Sequence, residues 1–292
     1  MKSKFFFSYL FIIFLFINCS SNQSTGQSEN EKKAEIFYTY GTQSLVQKNY
    51  TDALDNLLKS YDLNPNDSKL NNNLGMAYFF KDRSDKAIDH LNKAIEIDKK
   101  NSDAKSNLAS IYYNLGEYQK AKKLFHEVLE DLVYQHHYRI LHGLALISIK
   151  DKKYSEAKDY LEKSIKENTD YCPAYFTLGK LELSKGQHNE AIDNFKKANK
   201  GTCFSEEAPL IALAQTYYNI GDFDRAKLKF LEYIERFPSG SFVKEAQKNV
   251  SEITDQDNTK DHIRQKQSAP LRKSPNTDNR EELDEINSDP NF

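Results

Sequence analysis

The sequence predicts an all-α chain: an α-solenoid of about six helix pairs closed by a C-terminal capping helix. Three observations carry that prediction. First, an alanine followed four residues later by a large apolar residue recurs at Ala53/Leu57, Ala87/Leu91, Ala121/Phe125, Ala157/Leu161, Ala191/Phe195 and Ala226/Phe230. Second, successive alanines stand 34, 34, 36, 34 and 35 residues apart, a near-constant period of the kind shown by stacked helical repeats. Third, the 292 residues are only 38% hydrophobic, with a mean hydropathy of −0.76, yet include 18 Tyr and 18 Phe beside just 10 Gly and 7 Pro. That is too little apolar content for one deep core and too much aromatic content for a disordered chain, which leaves a thin stack whose units bury one face each.

The chain opens with Lys2 and Lys4, then an apolar stretch from Phe5 to Ile17 that ends at Asn18 and Cys19. A membrane-spanning helix needs about 20 apolar residues, so this run reads as the core of an export signal over residues 1–18. A cysteine directly after such a core resembles the lipobox of bacterial lipoproteins. The resemblance implies cleavage before Cys19, a diacylglyceryl thioether on its sulfur and an amide-linked acyl chain such as palmitate. Asn18 departs from the Gly, Ala or Ser usual before that cysteine, and the alternative reading is a plain membrane anchor. Ser20 rather than Asp follows Cys19, which by the enterobacterial sorting rule implies an outer-membrane lipid anchor facing the periplasm. Residues 19–33 are mostly small, polar or charged and read as a flexible tether.

The repeats then occupy residues 34–238, as 34–67, 68–101, 102–135, 138–171, 172–205 and 207–240. Twelve residues before each motif alanine lies a small residue: Gly41, Gly75, Ala109, Ala145, Gly179 and Ala214. Tyr78, Tyr112 and Tyr217 follow three residues after it in repeats two, three and six. Small residues let two helix backbones approach, and the aromatics fill the space between them. Gly116, Gly186 and Gly221 fall in the turn between the two helices, where a left-handed conformation is often required. After Pro238, Ser241 is a candidate N-cap for a capping helix over 241–254, with Phe242, Ala246 and Val250 as its apolar stripe. Residues 255–292 lose nearly all apolar content and read as a disordered tail.

Period and pattern together resemble the tetratricopeptide repeat (TPR). The resemblance implies a right-handed solenoid whose first helices line a concave groove. By phase, Tyr38, Asn72, Asn73, Met76, Phe80, Asn107, Ser110, Tyr113, His142 and Phe176 face that groove. Asn73 and Asn107 stand at equivalent places in successive repeats, where asparagine amides of other such proteins hold an extended peptide backbone. An amide both donates and accepts, so it matches a peptide group without reading side chains. The basic residues that clamp a C-terminal carboxylate are absent at Tyr38, Thr42, Ser106 and Ser110.

With Cys19 set aside, Cys172 and Cys203 remain. Cys172 opens the first helix of repeat five and Cys203 follows its second helix, so antiparallel pairing brings them to one end of the array. A structural disulfide is the first reading and free thiols the second. A metal or redox centre lacks CxxC spacing or a histidine at ligand spacing. His136, His137 and His142 cluster in sequence, but neighbouring histidines diverge on a helix, so no metal site is expected. No phosphate-loop, dinucleotide or nucleophile-elbow motif occurs, and no enzyme activity, small-molecule substrate or cofactor beyond the Cys19 lipid is expected. A net charge of −2 gives no basis for nucleic-acid binding.

The paired late cysteines, in YCPAYFTLGK and GTCFSEEAPLIALAQTY, and the ending FLEYIERFPSGSFVKEAQ are similar to the type IV pilus pilotins, the PilF, PilW and Tgl group. That resemblance implies a non-catalytic interaction scaffold whose partner is a secretin. The alternative is a generic periplasmic scaffold serving another envelope complex.

Overall fold

A computed structural model describes residues 28–268. These residues form thirteen α-helices and no strand. Six consecutive pairs are α1 (Glu29–Val46) with α2 (Tyr50–Leu63), α3 (Ser68–Phe80) with α4 (Ser84–Ile97), α5 (Ser102–Asn114) with α6 (Tyr118–Leu129), α7 (His137–Lys150) with α8 (Tyr154–Glu167), α9 (Cys172–Ser184) with α10 (His188–Ala198), and α11 (Glu207–Asn219) with α12 (Phe223–Arg236). A last helix, α13 (Val243–Ser268), follows. The arrangement is the α-solenoid expected from the period. The described residues divide into two compact units on either side of the Leu132–Val133 junction, the first with α1–α6 and the second with α7–α13.

The recurring sequence pattern is the packing rule of each pair. All six motif alanines are completely buried, and their large partners Leu57, Leu91, Phe125, Leu161, Phe195 and Phe230 are at most 3% exposed. The small residue of the first helix is what admits that partner. A Cβ added to Gly75 would lie 2.6 Å from Leu91 Cγ, and one added to Gly179 2.6 Å from Phe195 Cε1. Each large partner buried this way contributes roughly 1.5–3 kcal/mol. The first unit gathers Leu57, Leu70, Leu74, Tyr78, Leu91, Leu108 and Ile111 into one core. The second has one cluster around Leu161, Leu178 and Leu181 and another running from Ala191 through Phe195, Tyr217, Phe230 and Tyr233 to Ile253.

The turn inside every pair has one geometry. Six residues at equivalent positions have positive φ: Lys48, Asp82 and Lys152 (62°, 57° and 59°) and Gly116, Gly186 and Gly221 (79°, 75° and 78°). One residue later a backbone N–H donates back to the last turn of the first helix, as in Asn49 N to Ser44 O, Arg83 N to Tyr78 O and Gln187 N to Glu182 O. This is the six-to-one closure of a left-handed helix stop. The glycine expectation therefore located half of these turns, and lysine or aspartate makes the same turn in the rest.

The helical ends differ from the sequence expectation. Residues 29–33, read as tether, are the first turn of α1. Ser28 Oγ accepts from Glu31 N while Glu31 Oε2 accepts from Ser28 N at 2.7 Å, a reciprocal cap that starts the helix. Residues 255–268, read as the start of the tail, continue α13 to Ser268. Neither Gly nor Pro interrupts 241–268 after Gly240, and Pro270 is the first residue that opposes further helix. The export signal over 1–18, Cys19, the rest of the tether to residue 27 and the tail over 269–292 lie outside the described residues. No helix among the described residues is long and apolar enough to cross a membrane.

Candidate functional site

In the first unit the first helices α1, α3 and α5 carry a continuous row of polar side chains. Asn73 Nδ2 donates to Thr42 Oγ1 at 3.0 Å and to Tyr38 Oη at 3.4 Å, reaching from α3 to α1. Asn72 Nδ2 donates to Asn73 Oδ1 at 3.2 Å, and Asn107 Nδ2 donates to Asn72 Oδ1 at 2.8 Å, reaching from α5 to α3. Tyr38, Asn72, Asn73 and Asn107, proposed from helical phase, are thus brought together as one ladder. Its amides bond first to one another across repeats, which fixes their orientation before any ligand arrives. Asn107 Oδ1 ends the ladder as an acceptor. Burial foremost, with Asp67 and Glu35 adding, raises the pKa of the Tyr38 phenol, so it stays a neutral donor. Tyr38 also borders a cavity of about 230 Å³ shared with Glu31, Glu35, Ser60, Asn64 and Asp67, an acidic notch at the start of the row.

The other groove residues of this unit take separate neighbours. Ser110 is exposed and donates to Ser106 O at 2.9 Å. Tyr113 is half-buried beside Tyr118, ring centroids 5.5 Å apart, and burial raises its pKa. Met76 is half-buried on α3. Phe80, 43% exposed, stacks on Tyr50 of α2 at 4.5 Å and 15°. Among the described residues Phe80 pairs with the rings of Tyr50 and Phe79 and not with the amide ladder, so the two form distinct patches.

In the second unit the expected groove residues are packing links. His142 of α7 has both nitrogens engaged, Nε2 with Thr177 Oγ1 at 2.9 Å and Nδ1 with Tyr171 Oη at 3.3 Å. Burial foremost, with Lys180 adding, pushes its pKa from 6.5 down to about 4, so the imidazole is neutral near pH 7. Phe176 lies 5.8 Å from Phe195, with Lys180 Nζ 4.9 Å above its ring. His136 and His137 face Tyr134, at 5.5 and 5.8 Å between rings. Among the described residues no group of three metal-ligating side chains converges. A disulfide joins Cys172, the first residue of α9, to Cys203 at the end of a short 3-10 turn, with Cα atoms 6.1 Å apart.

Phase reasoning passed over two features. Ile36 and Tyr40 on α1 are 53% and 57% exposed, whereas Leu70 and Leu74, at the same places in the next repeat, are 1% and 0% exposed. Alignment with the following repeats would have found them, because those positions are apolar in each. The second feature is charge. Helix α3 carries one charged residue, Lys69, and α11 one, Glu207, whereas α8 carries Glu156, Lys158, Asp159, Glu162, Lys163, Lys166 and Glu167. Helices α3 and α11 are therefore close to uncharged, whereas α1 carries Glu29, Glu31, Lys32, Lys33 and Glu35 with a Lys33–Glu29 pair, and the second helices hold pairs such as Lys59–Asp55 and Lys197–Asp193.

Comparison with known proteins accords with this geometry. Family models described as tetratricopeptide repeat match residues 45–104, 81–143, 138–171, 173–200 and 210–240. No curated protein matches the sequence. Among solved structures, PilF of Pseudomonas aeruginosa is 20% identical with a TM-score of 0.62, over 75% of this chain and 99% of that one. PilW, described as a widely conserved type IV pilus biogenesis factor, is 16% identical with a TM-score of 0.64, over 73% and 98%. Cut9 from the APC/C hetero-tetramer Cut9–Hcn1 is 14% identical with a TM-score of 0.63, over 76% of this chain but 43% of that one. At these identities the likeness is one of fold.

Proposed function

Because the chain belongs to the tetratricopeptide-repeat family, we propose that it is a non-catalytic interaction scaffold, lipid-anchored through Cys19 at the outer membrane and acting like a pilotin in secretin assembly for type IV pili. The observation that carries this reading is coverage: residues of this chain span 99% of PilF and 98% of PilW, against 43% of Cut9. The match is one of size as well as of repeat. The first unit supplies a surface suited to such a partner. Its amide ladder offers donors and acceptors to an extended backbone, while the uncovered Ile36 and Tyr40 offer apolar contact. An uncharged, partly apolar segment of a secretin subunit suits that surface better than a charged tail. The Cut9 likeness supports a second reading, a periplasmic scaffold for a different envelope complex, since the same fold serves unrelated assemblies.

A deletion strain separates the two. The pilotin reading expects secretin to shift from heat-resistant multimer to monomer on gels, and unchanged multimer refutes it. Mass spectrometry of the purified chain checks the anchor independently: a triacylated Cys19 at the N-terminus is expected, and an unmodified Cys19 removes the lipid from the proposal.

A further inference from the structure

The outer face of α12 breaks a rule kept by the other second helices. Two and five residues after the motif alanine, the chain carries Asp55 and Leu58, Asp89 and Asn92, Lys123 and His126, Asp159 and Glu162, and Asp193 and Lys196. In α12 the same places hold Leu228 and Leu231, which are 66% and 45% exposed. Leu58, the one other leucine in the series, is partly buried against the first unit's core. Lys227 stands beside the pair without an ion-pair partner among the described residues, while Arg225, Lys229 and Arg236 are engaged by Asp222 and Glu232.

Two leucines are far too little surface for separate chains, whose stable interfaces bury about 800 Å² per partner. A segment of the same chain needs much less, because a short linker holds it at a millimolar effective concentration. We propose that residues 281–286 of this chain, Glu-Glu-Leu-Asp-Glu-Ile, dock on this face of α12. Leu283 and Ile286 repeat the three-residue spacing of Leu228 and Leu231, and Glu282, Asp284 and Glu285 supply the negative charge that Lys227 lacks.

Reach favours this segment over the rest of 269–292. Helix α13 returns along α12 until Lys260 Nζ lies 5.8 Å from the ring centre of Phe223, the first residue of α12. Eight more residues of α13 and five of α12 then separate Ser268 from Leu228, about 20 Å along the helices at 1.5 Å per residue. The fifteen residues from Ser268 to Leu283 extend at most about 50 Å, so their contour covers that distance. Leu271 is only three residues past Ser268 and extends at most about 11 Å. Phe292 has no apolar neighbour at helical spacing.

The test places the photo-reactive residue p-benzoylphenylalanine at position 228 of the full chain, with position 193 as the control. Expected is a cross-link within one chain to the peptide containing 281–286. Its yield should be unchanged by tenfold dilution, at least fivefold lower in the L283D/I286D variant and absent from position 193. No cross-link at 228, or one to a second chain or another peptide, overturns the proposal. In the unlabelled chain, hydrogen exchange over 281–286 should be severalfold faster in L228D/L231D than in the parent. Equal exchange overturns it as well, and both leucines are exposed enough that the variant keeps its fold.

Discussion

Asn73 joins Tyr38 and Thr42 on one side to Asn72 on the other, so Asn73→Ala removes the centre of the ladder at once. Each lost bond is worth about 1 kcal/mol, and a drop of about 1–2 kcal/mol in chemical-denaturation stability is expected, with α1 exchanging amide protons faster. No change in either measurement would mean the ladder is decoration. His142 makes a pH prediction. Its folded pKa, about 4, lies below the ordinary 6.5, so the unfolded chain binds the proton more readily than the folded one. The stability tied to its neutrality is complete above pH 6.5, falls as pH drops toward 4 and is flat below. The full shift corresponds to about 3 kcal/mol. Urea melts at pH 7 and pH 4.5 should differ by much of that in the parent and clearly less in His142→Gln. The composition of the ladder was legible, because helical phase placed Asn72, Asn73 and Asn107 on one face. Its internal bonding was not, since phase says which way a side chain points and not whether its partner is ligand or neighbour.

A second helix begins only after a left-handed residue, and three repeats use Lys48, Asp82 or Lys152 for it. A non-glycine residue pays about 1–2 kcal/mol for that conformation. Lys152→Gly should therefore stabilise the second unit, by about 0.5–1 kcal/mol after the extra freedom of glycine in the unfolded chain is subtracted. Thermal unfolding decides it, and a destabilised variant would mean Lys152 holds contacts that outweigh the strain. Element boundaries inside the array were legible because each is fixed twice, by the alanine motif and by its neighbours one period away. The outer ends have no neighbour. The start of α1 depended on the Ser28–Glu31 cap, a local signal outside the repeat pattern. The end of α13 depended on the absence of any residue that stops a helix before Pro270. Loss of apolar residues marks the end of a core, and a helix can outlast it.

The small net charge on the first helices of the first unit bears on how that unit meets a partner. A surface with Lys69 as the one charge on α3, Asp103 and Lys105 on α5, and Glu29, Glu31 and Glu35 set against Lys32 and Lys33 on α1 has little net charge, so it gives little long-range attraction for salt to screen. Partner affinity should accordingly change less than about threefold between 50 and 500 mM salt in a surface-binding assay, and a steep decline would move the binding face to the second helices. The period made the fold readable and marks positions 36 and 40 as apolar ones, whereas the exposure of Ile36 and Tyr40 against the burial of Leu70 and Leu74 shows only in the packing. The bridge between Cys172 and Cys203 has one further consequence, for a chain drawn out by force. It spans a sequence separation of 31 residues, a slack of about 100–110 Å at full extension that tension cannot reach while the sulfurs are joined. Stretched in optical tweezers, the oxidised chain should come up short of the reduced chain by about that length, with the missing segment paid out when reductant is added.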